Sequence, residues 1–571
     1  MAPLERALAL QAGCSDTLFH LAKAWEALSH LPNAEEHLRA AIRVSPSHTE
    51  ALLQLGILLE ESQRFKEALA FYQALLASQP DHFIALCNSA NCLQHLEQFD
   101  EALSYYEKAL TISPDHAVAL SNLGVVYHKL ERFDKAILCF EKGIRSNPQS
   151  AELFLNAGVS ILKSRQPTKA LTHFEKAISL RSGYLEAHLN KAIALEEFQR
   201  YPEACESLTQ AISASPQAAL AYATRAYFFA KQNRLTEAIA DLEKAICLQP
   251  EDVPTHVLLA VVSLLSGDYA RGWQESEWRW KRKENAPVQR NLPGKLWLGT
   301  ESLEGKTLFV HFEQGLGDSI QFCRLLSLLQ GKAGKVVFEV QGSLLPLLAD
   351  LPGTHQTIAH GDPIPPYDFF CPLMSLPLAF RIDLSNLPAP QSYLHACPHL
   401  LRTWQQRLGP KKRPRVGLAW SGNPQHPDDA NRSASLQSLL PWLPAELEWI
   451  VIQKEIRPED QAFLQNWEGV RLFPEELTNF SQTAALLSCL DLVLTVDTSL
   501  AHLGGALGIP TWIMVPFFPD WRWLLHRTDS PWYPSVRLYR QLAFGDWKSL
   551  FEPLQRDLQQ LAHGSAFPCS S

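Results

Sequence analysis

A helical repeat array followed by an α/β half is the architecture predicted for this chain of 571 residues. Three observations predict it. Prolines fall at 46, 80, 114, 148, 216 and 250, so each gap is 34 or twice 34. Small and large residues recur in the same phase. After residue 286 that period stops, and short apolar runs alternate with helical patterns. A chain of this length exceeds one hydrophobic core, so two or three domains are expected.

The array comes first. One column holds Ala22, Gly56, Ala90, Gly124, Gly158, Ala192, Ala226 and Ala260. A second holds Ala34, Ala68, Ala102, Ala136, Ala170, Ala204 and Ala238. A third is large: Leu38, Tyr72, Tyr106, Phe140, Phe174, Leu208 and Leu242. Small residues let two helices approach, and large ones fill the space between neighbouring hairpins. Segments such as 98–102 are expected to link the two helices of a hairpin, and the proline ends the second helix. Ser182 stands where one repeat has lost its proline. A further column, Asn88, Asn122, Asn156 and Asn190, repeats at 34. An amide both donates and accepts, so this ladder can hold an extended chain, or it can serve local packing.

These columns resemble the tetratricopeptide repeat, in seven copies over about 15–252 and a degenerate eighth through Gly267-Asp268-Tyr269 to about 286. The resemblance implies an α-helical superhelix with a concave face for extended peptide. The asparagine column is similar to the ladder in the superhelix of the O-linked N-acetylglucosamine transferases.

Bulk properties exclude several classes. The net charge of −9 does not attract nucleic acid or an anionic membrane. The 11 cysteines show no CxxC pair and read as small buried residues in a reducing compartment. Residues 1–14 lack the pattern of a signal peptide, and no apolar run is long enough for an integral membrane segment. The expected location is cytoplasmic. The basic run Lys411, Lys412, Arg413 and Arg415 reads as a solvated linker.

In the second half, residues 294–305 read as a linker or docking segment with an exposed Trp297. Residues 307–312 read as a buried strand, followed by the turn Glu313-Gln314-Gly315-Leu316-Gly317-Asp318 and a helix over 320–329. A strand over 335–340 and a helix near 344–351 complete a first βαβ layer reaching 395. A helical basic connector over 399–415 leads to a second layer with strands 416–420, 448–453, 492–496 and, last, 511–515. One more helix, 553–563, is placed to cross back to the first layer. Ligands bind where the carboxyl ends of such strands face each other. The expected boundaries are an extension 1–14, repeats 15–286, a linker 287–304, a first layer 305–395, a connector 396–412, a second layer 413–563 and a tail 564–571.

The strongest motif runs from Val496 to Pro510. Asp497 or Thr498 can cap the helix that follows, whose free N–H groups suit a diphosphate. Ser499 lies in its first turn, and His502, one turn in, either adds a donor or is a core histidine. Trp420-Ser421-Gly422-Asn423-Pro424 ends a strand in a small-residue turn, so Trp420, Ser421 and Asn423 are phosphate-side candidates; a tight turn with a packed tryptophan is the alternative. Arg432 can neutralise a leaving diphosphate or pair with Asp428 or Asp429. Gln453 and Lys454 follow a strand where a base or ribose is met, and Lys454 can equally be solvated. Asp520 and Trp521 follow the last expected strand, where the aromatic can stack on a base or sugar or pack under the loop.

Together, residues 313–318 and 497–502 resemble glycosyltransferase family 9, the bacterial heptosyltransferases. The resemblance implies a GT-B-like pair of Rossmann-like domains. Gly317-Asp318 matches that family's Gly-Asp pair, and Asp497-Thr498-Ser499-Leu500-Ala501-His502 matches its Asp-Thr/Ser-x-x-x-His donor motif, with Ser499 where glycine is frequent. A bacterial group joining such repeats to such a domain is closer still. It shares Gly272-Trp273, Glu277-Trp278-Arg279, residues 313–318, residues 420–424, Arg432-Ser433, residues 490–493, Asp520-Trp521-Arg522-Trp523 and residues 530–534.

The resemblance implies a transferase in which Asp318 deprotonates the acceptor hydroxyl while nucleoside diphosphate leaves. Gln314, Gly315 and Gly317 join the donor side. No Asp-x-Asp motif, no His/Cys cluster with ligand spacing and no P-loop lysine is present, so neither a metal nor another cofactor is expected beside the nucleotide-sugar co-substrate. The acceptor is expected to be a protein or peptide recruited by the repeats. The rival readings are an adaptor with a degenerate transferase domain, and transfer to a lipid-linked saccharide.

Overall fold

The computed structural model describes residues 14–282, 290, 292–426 and 428–564. The expected extension and tail therefore lie almost wholly outside the described residues, as do 283–286 of the array and 287–289 and 291 of the linker. The chain divides into two compact units, Met1–Ala221 and Tyr222–Ser571, a division that falls inside the repeat array.

The first unit is all helical. Its helices pair as hairpins, from Ser15–Ala27 with Leu31–Val44 to Leu185–Glu196 with Tyr201–Ala214. Each first helix ends in a residue with left-handed backbone: Ser29, Gln63, Glu97, Glu131, Arg165 and Gln199, with φ between 56 and 62°. That conformation reverses the chain within about three residues. Phe99 is consequently already the first residue of its helix, and the linker expected over 98–102 is a helix start. His48, His82 and His116 cap helices by accepting at Nδ1 from the N–H groups of Ala51, Ala85 and Ala119 at 3.2–3.3 Å. The small and large columns meet across each hairpin. A Cβ at Gly56, Gly124 or Gly158 would lie 2.3, 2.6 and 2.6 Å from the rings of Tyr72, Phe140 and Phe174, all fully buried.

The second unit begins with the end of the array, including helices α1 (Val253–Ser266) and α2 (Tyr269–Ser276). Gly267, at φ 91°, closes α1, and Asp268 caps α2. A 3₁₀ turn, Glu277–Lys281, follows. The α/β region holds two wholly parallel sheets. The first orders its strands β1-β5-β2-β3-β4, with β1 Lys295–Leu296, β2 Thr307–His311, β3 Lys335–Val340, β4 Gln356–Ala359 and β5 Phe369–Pro372. The second is β11-β10-β9-β6-β7-β8, with β6 Arg415–Ala419, β7 Glu448–Val451, β8 Arg471–Leu472, β9 Leu492–Val496, β10 Thr511–Val515 and β11 Val536–Arg540. The arrangement is consistent with a GT-B-like pair of Rossmann-like domains. The order reverses between β2 and β5 and between β6 and β9, and such switch points are where α/β sheets bind ligands. Helices α3 (Leu316–Phe322), α4 (Pro398–Leu408), α5 (Phe480–Leu487) and α6 (Ser499–Ala506) pack beside these strands, and α7 (Trp547–Ala562) ends the described chain.

Several local expectations are corrected. Trp297 is buried, not exposed: its N–H bonds the Phe370 carbonyl at 2.8 Å and its ring meets Phe380 edge-on. The helix after the first turn begins at Leu316, and residues 323–329 tighten into a 3₁₀ helix. Arg415 is not solvated; it lies in β6 with Glu448 3.0 Å away. Thr511–Val515 is not the last strand, because β11 pairs beside it. Helix α7 starts six residues before Pro553, and its Leu550, Phe551, Leu554 and Leu558 join the core of the second sheet, so it does not cross back.

The hairpin contacts give a first test. Gly124→Val drives two methyl groups into the Phe140 ring, so the urea midpoint of unfolding should fall by the equivalent of about 1–3 kcal/mol. An unchanged midpoint would show that the ring is free to move aside.

Candidate active site

A cavity of about 1040 Å³ opens at the carboxyl ends of β2, β6 and β9. Residues 314–318 and Met374 line it from the first sheet, and residues 421–423, Arg432, Gln453, Lys454, Asn479, 497–500, Pro516 and 518–522 from the second. Val261 of α1 completes the wall, so the last repeats build part of the cavity. Of the residues singled out from sequence on the transferase side, all but Trp420 line this one space.

Arg522 joins the two sheets. Its side chain is 9% exposed and follows the loop after β10. Nη1 donates to both oxygens of Asp520 at 3.0 Å, Nη2 donates to Asp318, and Nε donates to Gln321. The guanidinium lies 4.4 Å over the Trp521 ring. Burial works against its charge, but Asp520, Asp318 and Asp497 raise its pKa above the ordinary guanidinium value. No spacing rule flags it in the sequence; its one signal is an arginine set between two tryptophans just past a strand.

Asp318 occupies the first turn of α3, where it is third from the cap residue Gly315 and accepts from that residue's N–H at 2.9 Å. Asp318 thus serves the start of α3 from inside its first turn. Burial raises its carboxyl above the usual range, and Arg522 pulls it partly back. Gly317 permits a close approach between the sheets: a Cβ there would lie 2.8 Å from the His502 ring. His502 is buried, bonded at Nδ1 to the Tyr533 hydroxyl at 2.9 Å and stacked on Trp523 at 5.5 Å. Burial, helped by the fields of Arg522 and Arg324, holds its pKa well below the usual imidazole value, so the ring is neutral.

On the second sheet, Thr498 caps α6, its hydroxyl accepting from Leu500 N–H at 3.3 Å. Asp497 is left beside the cavity, its pKa pushed up to about 7 by burial and by the neighbouring Asp520. Arg432 approaches from the β6 loop; Nη1 donates to the Asp497 carbonyl at 3.3 Å, and Asp429 lies 3.7 Å from Nε. A Cβ at Gly422 would lie 2.6 Å from that guanidinium. Ser421 and Asn423 line the wall, and Lys454 is exposed on it.

Trp420 is corrected: its ring is fully buried in the second core and its indole N–H donates to Asp460 at 2.8 Å. Gln453 lines the cavity, but its amide is spent. Its oxygen accepts from the N–H groups of Trp420 and Ser421, and its nitrogen donates to the Ser421 hydroxyl and the Glu455 carbonyl, so it shapes the turn and leaves no group for a base or ribose. Trp521 packs rather than stacks on open space, meeting Trp273 of α2 edge-on at 5.3 Å.

The end of the array is bonded into this unit. Arg279 pairs with Glu313 at 2.7 and 2.9 Å and reaches the Ser375 hydroxyl, tying the 3₁₀ turn to the carboxyl ends of β2 and β5. Asn233 donates to the Phe517 carbonyl at 2.9 Å, and Lys231 lies 4.9 Å over the Phe518 ring.

The asparagine column stands in the first unit. Asn88 donates to the Tyr72 hydroxyl at 3.2 Å, Asn122 to Asn91 at 3.0 Å and Asn190 to the Glu186 carbonyl at 2.8 Å; Asn156 is half-buried. Three of the four amides thus spend a donor on the repeats themselves, which removes it from an extended ligand. Among the described residues no group of three His, Cys, Asp or Glu is placed to hold a metal ion. Among them no helix is long and apolar enough to cross a membrane.

Tetratricopeptide-repeat family models fit residues 21–83, 81–149, 121–184, 155–219 and 189–256. The model of glycosyltransferase family 9 (heptosyltransferase) fits residues 434–512, a stretch that contains Asp497 and His502 but neither Asp318 nor Arg522. The chain therefore carries tetratricopeptide repeats followed by a glycosyltransferase family 9 domain, which supports a glycosyltransferase. It is similar to protein FlbA of Caulobacter vibrioides, at 27% identity over 315 residues, 51% of this chain and 52% of that protein. The chain thus spans about half the length of the curated relative it matches. Among solved structures, a tetratricopeptide repeat protein from Parabacteroides merdae is 22% identical, covering 43% of this chain and 98% of that one with a TM-score of 0.37. YrrB, described as a repeat protein with an unusual peptide-binding site, is 26% identical, covering 32% and 95% with a TM-score of 0.28.

Two outcomes follow from the charges. Arg522→Met leaves the partly buried Asp318 and Asp520 without their cation, so stability should fall by about 1–3 kcal/mol in thermal or denaturant unfolding. For Asp497, the folded pKa of about 7 lies above the ordinary carboxyl value of 3.8. The folded state therefore binds the proton more tightly, and stability is lost as pH rises between those values. Asp497→Asn should remove that loss. Its Tm relative to the parent should climb from pH 5 to pH 8; a pH-independent difference would show that Asp497 ionises normally.

Proposed function

We propose that the chain transfers a sugar from a nucleotide-sugar to a protein acceptor recruited by the repeats, by single displacement without a metal. The observation that carries this reading is the convergence of Asp318, the α6 amino end and Arg432 on one cavity. Asp318 takes the proton of the acceptor hydroxyl as its oxygen bonds the anomeric carbon, and the bond from that carbon to phosphate oxygen breaks. Its raised pKa makes it a stronger base than an exposed aspartate, and the bond from Arg522 opposes that rise only in part. The nucleoside diphosphate leaves toward the amino end of α6 and the Arg432 guanidinium, which meet its charge. Neutral His502, packed against Gly317, holds the two sheets at the spacing this requires.

The test begins with thermal shift against nucleoside diphosphates and nucleotide-sugars, since a ligand that binds the native state raises Tm. A panel with no shift would overturn the reading. With the donor so found, Asp318→Asn should keep donor binding and lose transfer by roughly 10²–10⁴-fold. Near-normal turnover would return Asp318 to its capping role. Transfer should also persist in excess EDTA; loss on chelation and recovery with magnesium or manganese would disprove the metal-independent scheme.

A further inference from the structure

A second cavity, of about 240 Å³, lies in the first unit. Glu60, Asn91, Gln94, His95 and Asn122 line it, from three successive first helices: Thr49–Glu61, Phe83–His95 and Ala117–Lys129. Every lining side chain is polar. The groups behind it are fixed by hydrogen bonds. The buried Tyr72 hydroxyl donates to Glu60 Oε2 at 2.9 Å, and the buried Tyr106 hydroxyl donates to Asn91 Oδ1 at 2.5 Å. Asn122 Nδ2 donates to that same Asn91 oxygen at 3.0 Å. Both phenolic protons are thereby spent, and burial raises the half-buried Glu60 carboxyl above the usual range against the Tyr72 bond, the nearby His95 and the Asn91 side chain. Among the described residues no lysine or arginine forms an ion pair with Glu60.

We propose that this pocket receives a basic side chain, lysine or arginine, from an extended protein segment lying along the repeats. Burial disfavours the charge on Glu60, and His95 offsets that only in part, so a charge-assisted bond from an ammonium or guanidinium relieves it. Gln94 and Asn122 line the same wall and carry amide oxygens that can accept further N–H groups, of which an ammonium has three. The space is several times the roughly 30 Å³ that a water occupies, enough for such a head group. The chain's net charge of −9 favours the same class of partner. Of the asparagine column, Asn122 lines this subsite and Asn88 donates to the Tyr72 hydroxyl behind it.

The test needs no sugar transfer and so stands apart from the reading of the transferase cavity. A random dodecapeptide library displayed on phage is panned against the full chain. Selected peptides should share one basic position, and a synthetic copy with norleucine there should bind about tenfold more weakly by fluorescence anisotropy. In Glu60→Gln, whose amide oxygen can still accept from Tyr72, the parent and norleucine peptides should bind alike at unchanged Tm. Gln94→Glu, which adds a carboxylate to the same wall, should tighten the basic peptide roughly threefold. Peptides without a shared basic position, no enrichment over an uncoated surface, or an equal norleucine effect in Glu60→Gln each overturn the proposal.

Discussion

The buried guanidinium of Arg522 is the interaction on which the transferase half depends. It reaches across from the loop after β10 to α3, and so fixes both sheets through one side chain. Taking such a charge out of water costs several kcal/mol, which only a complete set of partners offsets. Asp318, Asp520, Gln321 and the Trp521 face make up that set. Two consequences follow for the cavity. The Asp318 carboxylate is pointed by a rigid partner rather than by its own rotamer preference. The loop that carries Asp520 and Phe518 along the cavity wall is held at its far end by the same residue.

A second buried pair extends that frame into the repeats. Arg279 and Glu313 join the turn that ends the array to the turn that begins the first sheet's cavity wall, and Glu313 also accepts from Met374 N–H. Around them Tyr269, Trp273, Trp521 and Trp532 form a cluster of edge-on and stacked rings. Such rings supply much of the apolar burial at a junction. Val261 reaches the cavity because this cluster brings α1 there. The last repeats are in this sense part of the transferase unit, in keeping with the division of the chain at residue 221.

What could be read from the sequence follows from how far apart the cooperating residues lie. The array is legible because its period is local: Gly124 and Phe140 are 16 residues apart, and the pair recurs. Strands β2, β3, β9 and β10 are legible because parallel strands buried on both faces are continuous apolar runs. The short β1 and β8 carry no such run. Trp420 and Gln453 read as ligand contacts because both follow strands on the cavity side. Their actual bonds run to Asp460 and to the 420–421 backbone, pairings set by the sheet rather than by spacing. Arg522 stayed hidden for the same reason, being 204 residues from Asp318.

The charges around α6 make physical sense only together. An anion site built on a helix start is weakened by any carboxylate beside it. Asp497 precedes Thr498, the cap of α6, and Asp520 faces the same space. Arg522 holds Asp520, so that charge is balanced within the protein. Among the described residues Asp497 forms no ion pair; burial of its carboxyl and the nearness of Asp520 favour its neutral form, against Trp523 and the fields of Arg522 and Arg432. The two acids nearest the donor-side helix are thus quieted by different means, one by an ion pair and one by desolvation. Arg432 and the free N–H groups of α6 are left to set the sign of the field where a phosphate would lie.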